Sequence, residues 1–257
     1  MIHVTEKKNK SMIQRRLIPT YIFLTIFSII SIFPFLWMIS AATNNYIDIS
    51  KGRLMPGSFA AENFRNLVAQ QPLARAMTNS FVYAISVTII CLFICSLAGY
   101  GFEVYHDKWK DKLFSILLLA MMIPQVATMI PLFQMFSKAK LLNTTIGFFL
   151  PMISTPFMIM MFRQNARAFP VDIIEAARLD GLTEIGIFFR MFFPTMRSTY
   201  AAAAVITFMN AWNAYLWPKV IMTDGKSLNM VMLIANTIGG YKIDYGMIMM
   251  GVLFCSI

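Results

Sequence analysis

Charge is scarce in this 257-residue chain: Asp, Glu, Lys and Arg make up 13% of it, about half the share of an ordinary soluble domain. Histidine is scarcer still, with only His3 and His106, both outside the apolar runs. No nucleophile has a base within reach in sequence and no cluster has metal-ligand spacing, so no catalytic residue and no metal site are assigned. Three cysteines exclude a disulfide scaffold; Cys91 and Cys95 lie four apart on one face of an apolar run, which fits small-residue packing better than a metal or disulfide role, and Cys255 stands alone. The G-x-x-x-x-G-K-[ST] phosphate cradle is missing. Ionisable groups are also missing from the long apolar stretches, which argues against a proton- or sodium-driven carrier.

What is present is apolar surface. Hydrophobic residues make up 58% of the chain and the mean hydropathy is +0.64, more than a core of this size can absorb. The remainder must face lipid or partner subunits, so the class is an all-α polytopic membrane protein. The net charge of +10 does not signal nucleic acid, because the charges punctuate apolar runs instead of forming a solvated basic face. It reads as orientation signal and attraction to anionic lipid.

A spanning helix needs about 20 apolar residues. The uncharged stretches Leu17–Ile47, Ala76–Phe102, Leu113–Ser137, Leu141–Phe162 and Ser198–Pro218 are each long enough, predicting spans near 17–42, 77–101, 113–137, 142–162 and 198–218. A sixth begins near Tyr245 and stops at Ile257, about 20 Å of helix, so the expectation is five complete spans and the start of a sixth in a truncated sequence. Ser227–Tyr241 is short, and Gly239-Gly240 suggests a surface helix running into a turn. Thirteen of the 22 Lys and Arg residues fall on one side of this arrangement, with Lys7, Lys8, Lys10, Arg15 and Arg16 at the N-terminal flank. That places the basic segment 1–16 in the cytoplasm. Cleavage after Ser40-Ala41-Ala42 is the competing reading, disfavoured because the apolar run far exceeds a signal core and contains Pro34. Residues 17–257 then form one membrane domain with a long outer loop, 43–75, and a long inner loop, 163–197.

The inner loop carries five basic and four acidic residues. Pro170 suits a first helical turn, Asp172 complements the dipole there, and Gly181 after Asp180 suits a left-handed cap. Val171, Ile174 and Ala177 recur every third residue as an apolar stripe, while Glu175 and Arg178 are spaced to pair on the exposed side. A second amphipathic stretch, Leu182 to Phe193, ends at Pro194. The loop is thus a bracket of two helices about a glycine elbow. An interfacial hairpin would account for Phe188, Phe189, Phe192 and Phe193, but small Ala176 and Ala177 beside Glu175 favour close docking of another protein.

The string EAARLDGLTEIGIFFRMFFP resembles the EAA loop of ATP-binding-cassette importer permeases: Glu175, Ala176, Ala177, Gly181 and Pro194 fall in register, and Met191 and Phe193 replace the usual Ile and Leu. FMNAWNAYLWP (Phe208–Pro218), ENFRNL (Glu62–Leu67), NSFVYAI (Asn79–Ile85) and the tail GMIMMGVLFCSI resemble carbohydrate importer permeases of the maltose-transporter type, closest to the shorter, six-span partner. The resemblance implies the fold of a type I importer transmembrane domain, not an enzyme, whose last span runs on beyond this point. It implies a second permease subunit as heterodimer partner, separate ABC ATPase subunits that hold the ATP and magnesium, and an extracytoplasmic sugar-binding protein. This chain would bind no cofactor itself. Glu175 would supply a charged contact to the ATPase, Ala176 and Ala177 close packing, and Gly181 the elbow, with Asp180 at the end of the coupling helix and Pro194 in register at the end of the motif.

For the substrate pathway, polar residues inside spans are costly and face the bundle interior. Gln125 and Thr128, Ser154 and Thr155, and Asn210 and Asn213 qualify. Carboxamides beside Trp212, Tyr215 and Trp217 suit a sugar, though a span end also attracts aromatic belts. Pro124, Pro131 and Pro156 are expected to kink or break their spans. The alternatives are an importer permease for a non-sugar solute and a non-transporting membrane scaffold.

Overall fold

The computed structural model describes residues 2–239 and 243–256, with side chains from residue 17 onward. The basic side chains of segment 1–16, and Gly240 of the expected turn, lie outside the described residues. The order is α1 (Ile2–Ala42), α2 (Tyr46–Ser50), α3 (Ala60–Gln70), α4 (Leu73–Val104), α5 (Lys108–Ala120), α6 (Gln125–Lys138), α7 (Thr145–Phe149) and α8 (Pro156–Ala166). There follow α9 (Val171–Leu179), α10 (Glu184–Ile187), α11 (Phe193–Thr195), α12 (Arg197–Trp212), α13 (Leu216–Ile221), α14 (Met230–Ile238) and α15 (Tyr245–Ser256). Among the described residues there is no strand. The chain divides into two compact units, Met1–Gln71 with Asn236–Ile257, and Pro72–Ala235.

In the first unit α1 leaves Leu17 to Leu36 exposed on every side, as a lipid- or subunit-facing helix requires, and it runs unbroken through Pro19 and Pro34. Its last turn is fixed by polar contacts. Asn63 of α3 donates through Nδ2 to the carbonyls of Ala42 and Asn44, both at 2.9 Å, and Ser40 donates to the Leu54 carbonyl at 2.7 Å. Ser40, Ala41 and Ala42, the segment considered for cleavage, are buried in this knot.

In the second unit α4 is the axis against which α8 and α12 pack. The approach of α8 is close because Gly99 has no side chain: a Cβ there would lie 2.6 Å from the Phe162 Cβ and 2.7 Å from the Arg163 nitrogen. The segment read as a surface helix proves otherwise. In α14, Met230, Met232 and Leu233 are buried, the Met230 amide donates to Ser80 Oγ at 2.8 Å, and Asn229 donates to the Ala214 carbonyl. Its apolar face outweighs the shortness that suggested the surface.

Continuous helices depart from the expected stretches at three places. Residues 113–137 form α5 and α6, which meet at 102° before Pro124, and 142–162 form α7, a 3-10 turn and α8, bent by 48° before Pro156. Residues 198–218 form α12 and the start of α13, interrupted at 213–215. A proline disfavours helical geometry in the residue before it, which explains the first two breaks, whereas Pro131 is accommodated inside α6. Two described helices are long and apolar enough to cross a membrane, Leu17–Ala42 and Leu73–Val104, and the two bent pairs raise that to four.

Gly99→Ala should therefore push α4 and α8 apart at a cost of about 1–3 kcal/mol. Gly101→Ala, whose Cβ meets nothing within 4 Å, should be neutral or slightly stabilising. Thermal unfolding of the two variants in detergent separates them; equal midpoints would contradict the close packing.

Candidate functional site

The inner loop folds as the bracket its sequence suggests, with an elbow of defined geometry. Gly181 has φ +79°. The Leu182 amide donates to the Ala177 carbonyl and the Gly181 amide to that of Arg178, both at 3.0 Å. This pair of bonds is a Schellman cap, which needs a left-handed residue. Thr183 then caps α10 by accepting from the Gly186 amide at 3.2 Å. The second helical stretch does not end at Pro194. It widens into a π-helical turn at Phe188–Phe192, closed by the Phe193 amide donating to the Phe188 carbonyl, and continues to Thr195. A proline removes one amide and crowds the carbonyl four residues earlier, which a widened turn relieves.

Inside the bracket, Ile174, Ala177, Ile187, Phe188 and Phe192 pack with Tyr100 of α4 and Phe169. Two expectations are corrected here. Val171 does not join the apolar stripe but is 62% exposed. Ala177, expected to offer close packing to a partner, is buried in this chain's own cluster, leaving exposed Ala176 as the small residue at the surface. The pairing of Glu175 with Arg178 is also not formed. Arg178 Nε instead donates to Glu184 Oε1 at 2.8 Å, and Tyr105, just past α4, donates its hydroxyl to Glu184 Oε2. These bonds, that of Arg178 first, hold the Glu184 carboxyl below its ordinary pKa, while burial, then the bond to Glu184, raises the Tyr105 phenol. Glu175, Asp180 and Leu179 face outward, Leu179 at 90% exposure.

Behind the bracket lies an ionic junction that sequence reading did not find. Arg163 of α8 is buried, and it donates through Nε to Glu103 Oε2 of α4 at 3.1 Å and through Nη2 to Asp111 Oδ1 of α5 at 2.6 Å. Its guanidinium also lies 4.3 Å from the Phe114 ring centroid. These residues stand at the ends of uncharged stretches, so sequence marks them as boundaries without revealing that they pair.

A cavity of about 680 Å³ occupies the other part of this unit. Of the residues expected on a pathway, Gln125, Thr155, Asn210, Asn213, Tyr215 and Trp217 line it, together with Val87 and Cys91 of α4. Trp212 does not: it stacks on Phe208 and meets Phe81 edge-on, partly buried against the neighbouring apolar cluster. Thr128 lines a smaller adjoining cavity, with Gln125 and Trp217, and Ser154 lines neither. Thr207, not singled out from sequence, is buried at the wall, and its hydroxyl has no oxygen or nitrogen partner among the described residues. Among the described residues no charged side chain lines the cavity. Asn213 Nδ2 already donates to the Met209 carbonyl and Thr155 Oγ1 accepts from the Met158 amide, but the remaining capacity of the lining carboxamides and hydroxyls, beside the Tyr215 ring, can hydrogen-bond and stack on a neutral polar solute. Cys91 and Cys95 are free thiols with sulfurs 3.7 Å apart, packed with Met158 and Phe162. Among the described residues no metal-binding cluster forms.

The comparisons with known proteins agree in direction. Residues 92–257 match the family described as "Binding-protein-dependent transport system inner membrane component". The lactose transport system permease protein of Rhizobium radiobacter is 39% identical over 247 residues, covering 95% of this chain and 90% of that protein. The arabinooligosaccharides transport system permease protein of Bacillus subtilis is 34% identical over 68% of this chain and 63% of that protein, and the sn-glycerol-3-phosphate transport system permease protein of Shigella flexneri is 30% identical over 66% and 63%. Among solved structures, a chain of a bacterial ABC transporter involved in the import of the acidic polysaccharide alginate superposes with a TM-score of 0.82 over 94% of this chain and 91% of that one, at 16% identity. At that identity the likeness is one of fold.

The elbow gives a direct prediction. A β-branched side chain at Gly181 is forced into a left-handed conformation, at a cost on the order of 1–2 kcal/mol. Gly181→Val should accelerate amide hydrogen exchange across 171–195 about ten-fold while leaving α4 and α8 protected. Unchanged exchange in the bracket would mean that the elbow does not depend on the positive φ.

Proposed function

The chain belongs to the family of binding-protein-dependent transport system inner membrane components, and we propose that it is the permease subunit of an ATP-binding-cassette importer carrying a sugar or oligosaccharide into a bacterial cell. The observation that carries this reading is the kinship, over 95% of the chain, with a permease named for lactose transport. The uncharged cavity supports it: Gln125, Asn210, Asn213 and Tyr215 offer the amide and aromatic surfaces that a sugar's hydroxyls and C–H faces require.

The division of labour follows. The bracket, with Glu175, Ala176 and Asp180 on its surface and Gly181 at its elbow, is the element that docks a separate ATPase. Leu179 joins them, because a large apolar side chain at the tip of an otherwise well-packed bracket is a natural anchor for a partner groove. The partners are a second permease subunit, a pair of ATPase subunits holding ATP and magnesium, and an extracytoplasmic binding protein that delivers the solute. This chain contributes the pathway and no catalysis. The distribution of Lys and Arg supports a cytoplasmic N-terminus. Closure of the ATPases would displace the bracket and tilt the helices as a body, alternating access to the cavity. A non-sugar solute is the second reading, favoured by the relative named for sn-glycerol-3-phosphate.

Affinity purification of the chain from its own cells should recover a second permease and an ABC ATPase. The complex in liposomes, with its binding protein, should accumulate radiolabelled lactose or arabinotriose only when ATP is enclosed on the ATPase side. ATP hydrolysis stimulated by a non-sugar solute, without sugar uptake, would select the second reading. Recovery of the chain alone would point to a scaffold.

A further inference from the structure

The family's coupling element accounts for the surface of the bracket but not for what holds the bracket to the rest of the chain. Contacts of two kinds join it to α4. One is aromatic: the Tyr100 ring lies 5.4 Å from that of Phe188 and 4.8 Å from that of Phe192, and the Phe93 ring stacks 6.5 Å from that of Phe189. The other is the Glu184 carboxylate, whose two oxygens face different elements, Oε1 taking Arg178 of α9 and Oε2 taking the Tyr105 hydroxyl beyond α4. Glu184 itself opens α10. One side chain therefore closes the elbow between α9 and α10 and fastens it to α4. At its other reach α4 supplies Val87 and Cys91 to the cavity wall, 18 and 14 residues from Tyr105 and so about 27 and about 21 Å along a helix.

We propose that Glu184 is a positioning residue for transport: through Arg178 and Tyr105 it makes α4 follow the bracket, so that displacement at the bracket reaches the cavity wall. The inference rests on the reading of the bracket as the ATPase-docking element and adds the link from that element to the pathway. An isolated exposed ion pair contributes little. A carboxylate with both oxygens engaged by different elements fixes an angle and a position at once, and position is what transmission requires.

The test uses the whole complex in liposomes, with ATP hydrolysis and solute uptake measured on the same preparation. Tyr105→Phe removes one oxygen and keeps the ring against Tyr100; Glu184→Gln removes the charge. Each should retain the ATPase and hydrolyse ATP within about two-fold of wild type, while solute moved per ATP falls about three- to ten-fold, the scale of one lost hydrogen bond. The double variant should be no worse than Glu184→Gln alone, because both act through one carboxylate. Wild-type uptake per ATP in both single variants would overturn the proposal. So would loss of the ATPase from Glu184→Gln, since Glu184 would then be a docking contact. Failure of the wild-type chain to retain any ATPase would instead remove the docking reading itself, and this inference with it.

Discussion

The placement of Arg163 sets the terms for the second unit. A guanidinium keeps its charge at any accessible pH, and burying it without partners costs several kcal/mol. It is buried here, so Glu103 and Asp111 must come to it, and with them the end of α4 and the start of α5. The bracket begins a few residues later. Arg167 adds a weaker contact to Glu103 at 3.5 Å from an exposed position. Three helix ends and the origin of the bracket are thus pinned to one another by one side chain, and Gly99 brings α8 close enough to α4 for that to happen.

Beyond this junction the unit separates two tasks along α4. Near its C-terminal end, aromatic packing and the Glu184 carboxylate hold the bracket, whose outer face is left with Glu175, Ala176, Leu179 and Asp180. Farther back, proline breaks before α6 and α8 and the interruption after α12 leave the helix ends facing a cavity of about 680 Å³. Continuous helices would pack side chain against side chain and leave little room. The broken ones expose Gln125, Thr155 and Asn213 at their ends, where a polar group can face a cavity without disrupting a helix interior.

Much of this was legible in the sequence because its signals are local. A glycine after Asp180 specifies an elbow, which forms as read; the cap that Thr183 supplies to the next helix was not singled out. Uncharged runs marked the apolar helices, and prolines marked two breaks, although length alone suggested unbroken spans. The errors share a cause. Spacing rules pair Glu175 with Arg178 at three residues, but the elbow turns the chain back and brings Glu184 nearer. The same rules put Val171 and Ala177 on one stripe without saying that α4 would cover the second and not the first. Trp212 falls beside the carboxamides in sequence yet faces Phe208 and Phe81, since its direction is set by packing. Arg163, Glu103 and Asp111 are separated by at least eight residues and belong to three helices, so nothing short of the fold could join them.

The central claim is that the bracket is where a separate ATPase docks, and Leu179 tests it most directly because it is the most exposed large apolar side chain of the bracket. A photo-crosslinking amino acid placed at 179 in the full chain, activated in intact cells, should attach to an ABC ATPase and to little else, with the yield changing between ATP-depleted and energised cells. Crosslinks only to lipid, or to this chain's own helices, would contradict the account and return the bracket to the role of a surface hairpin.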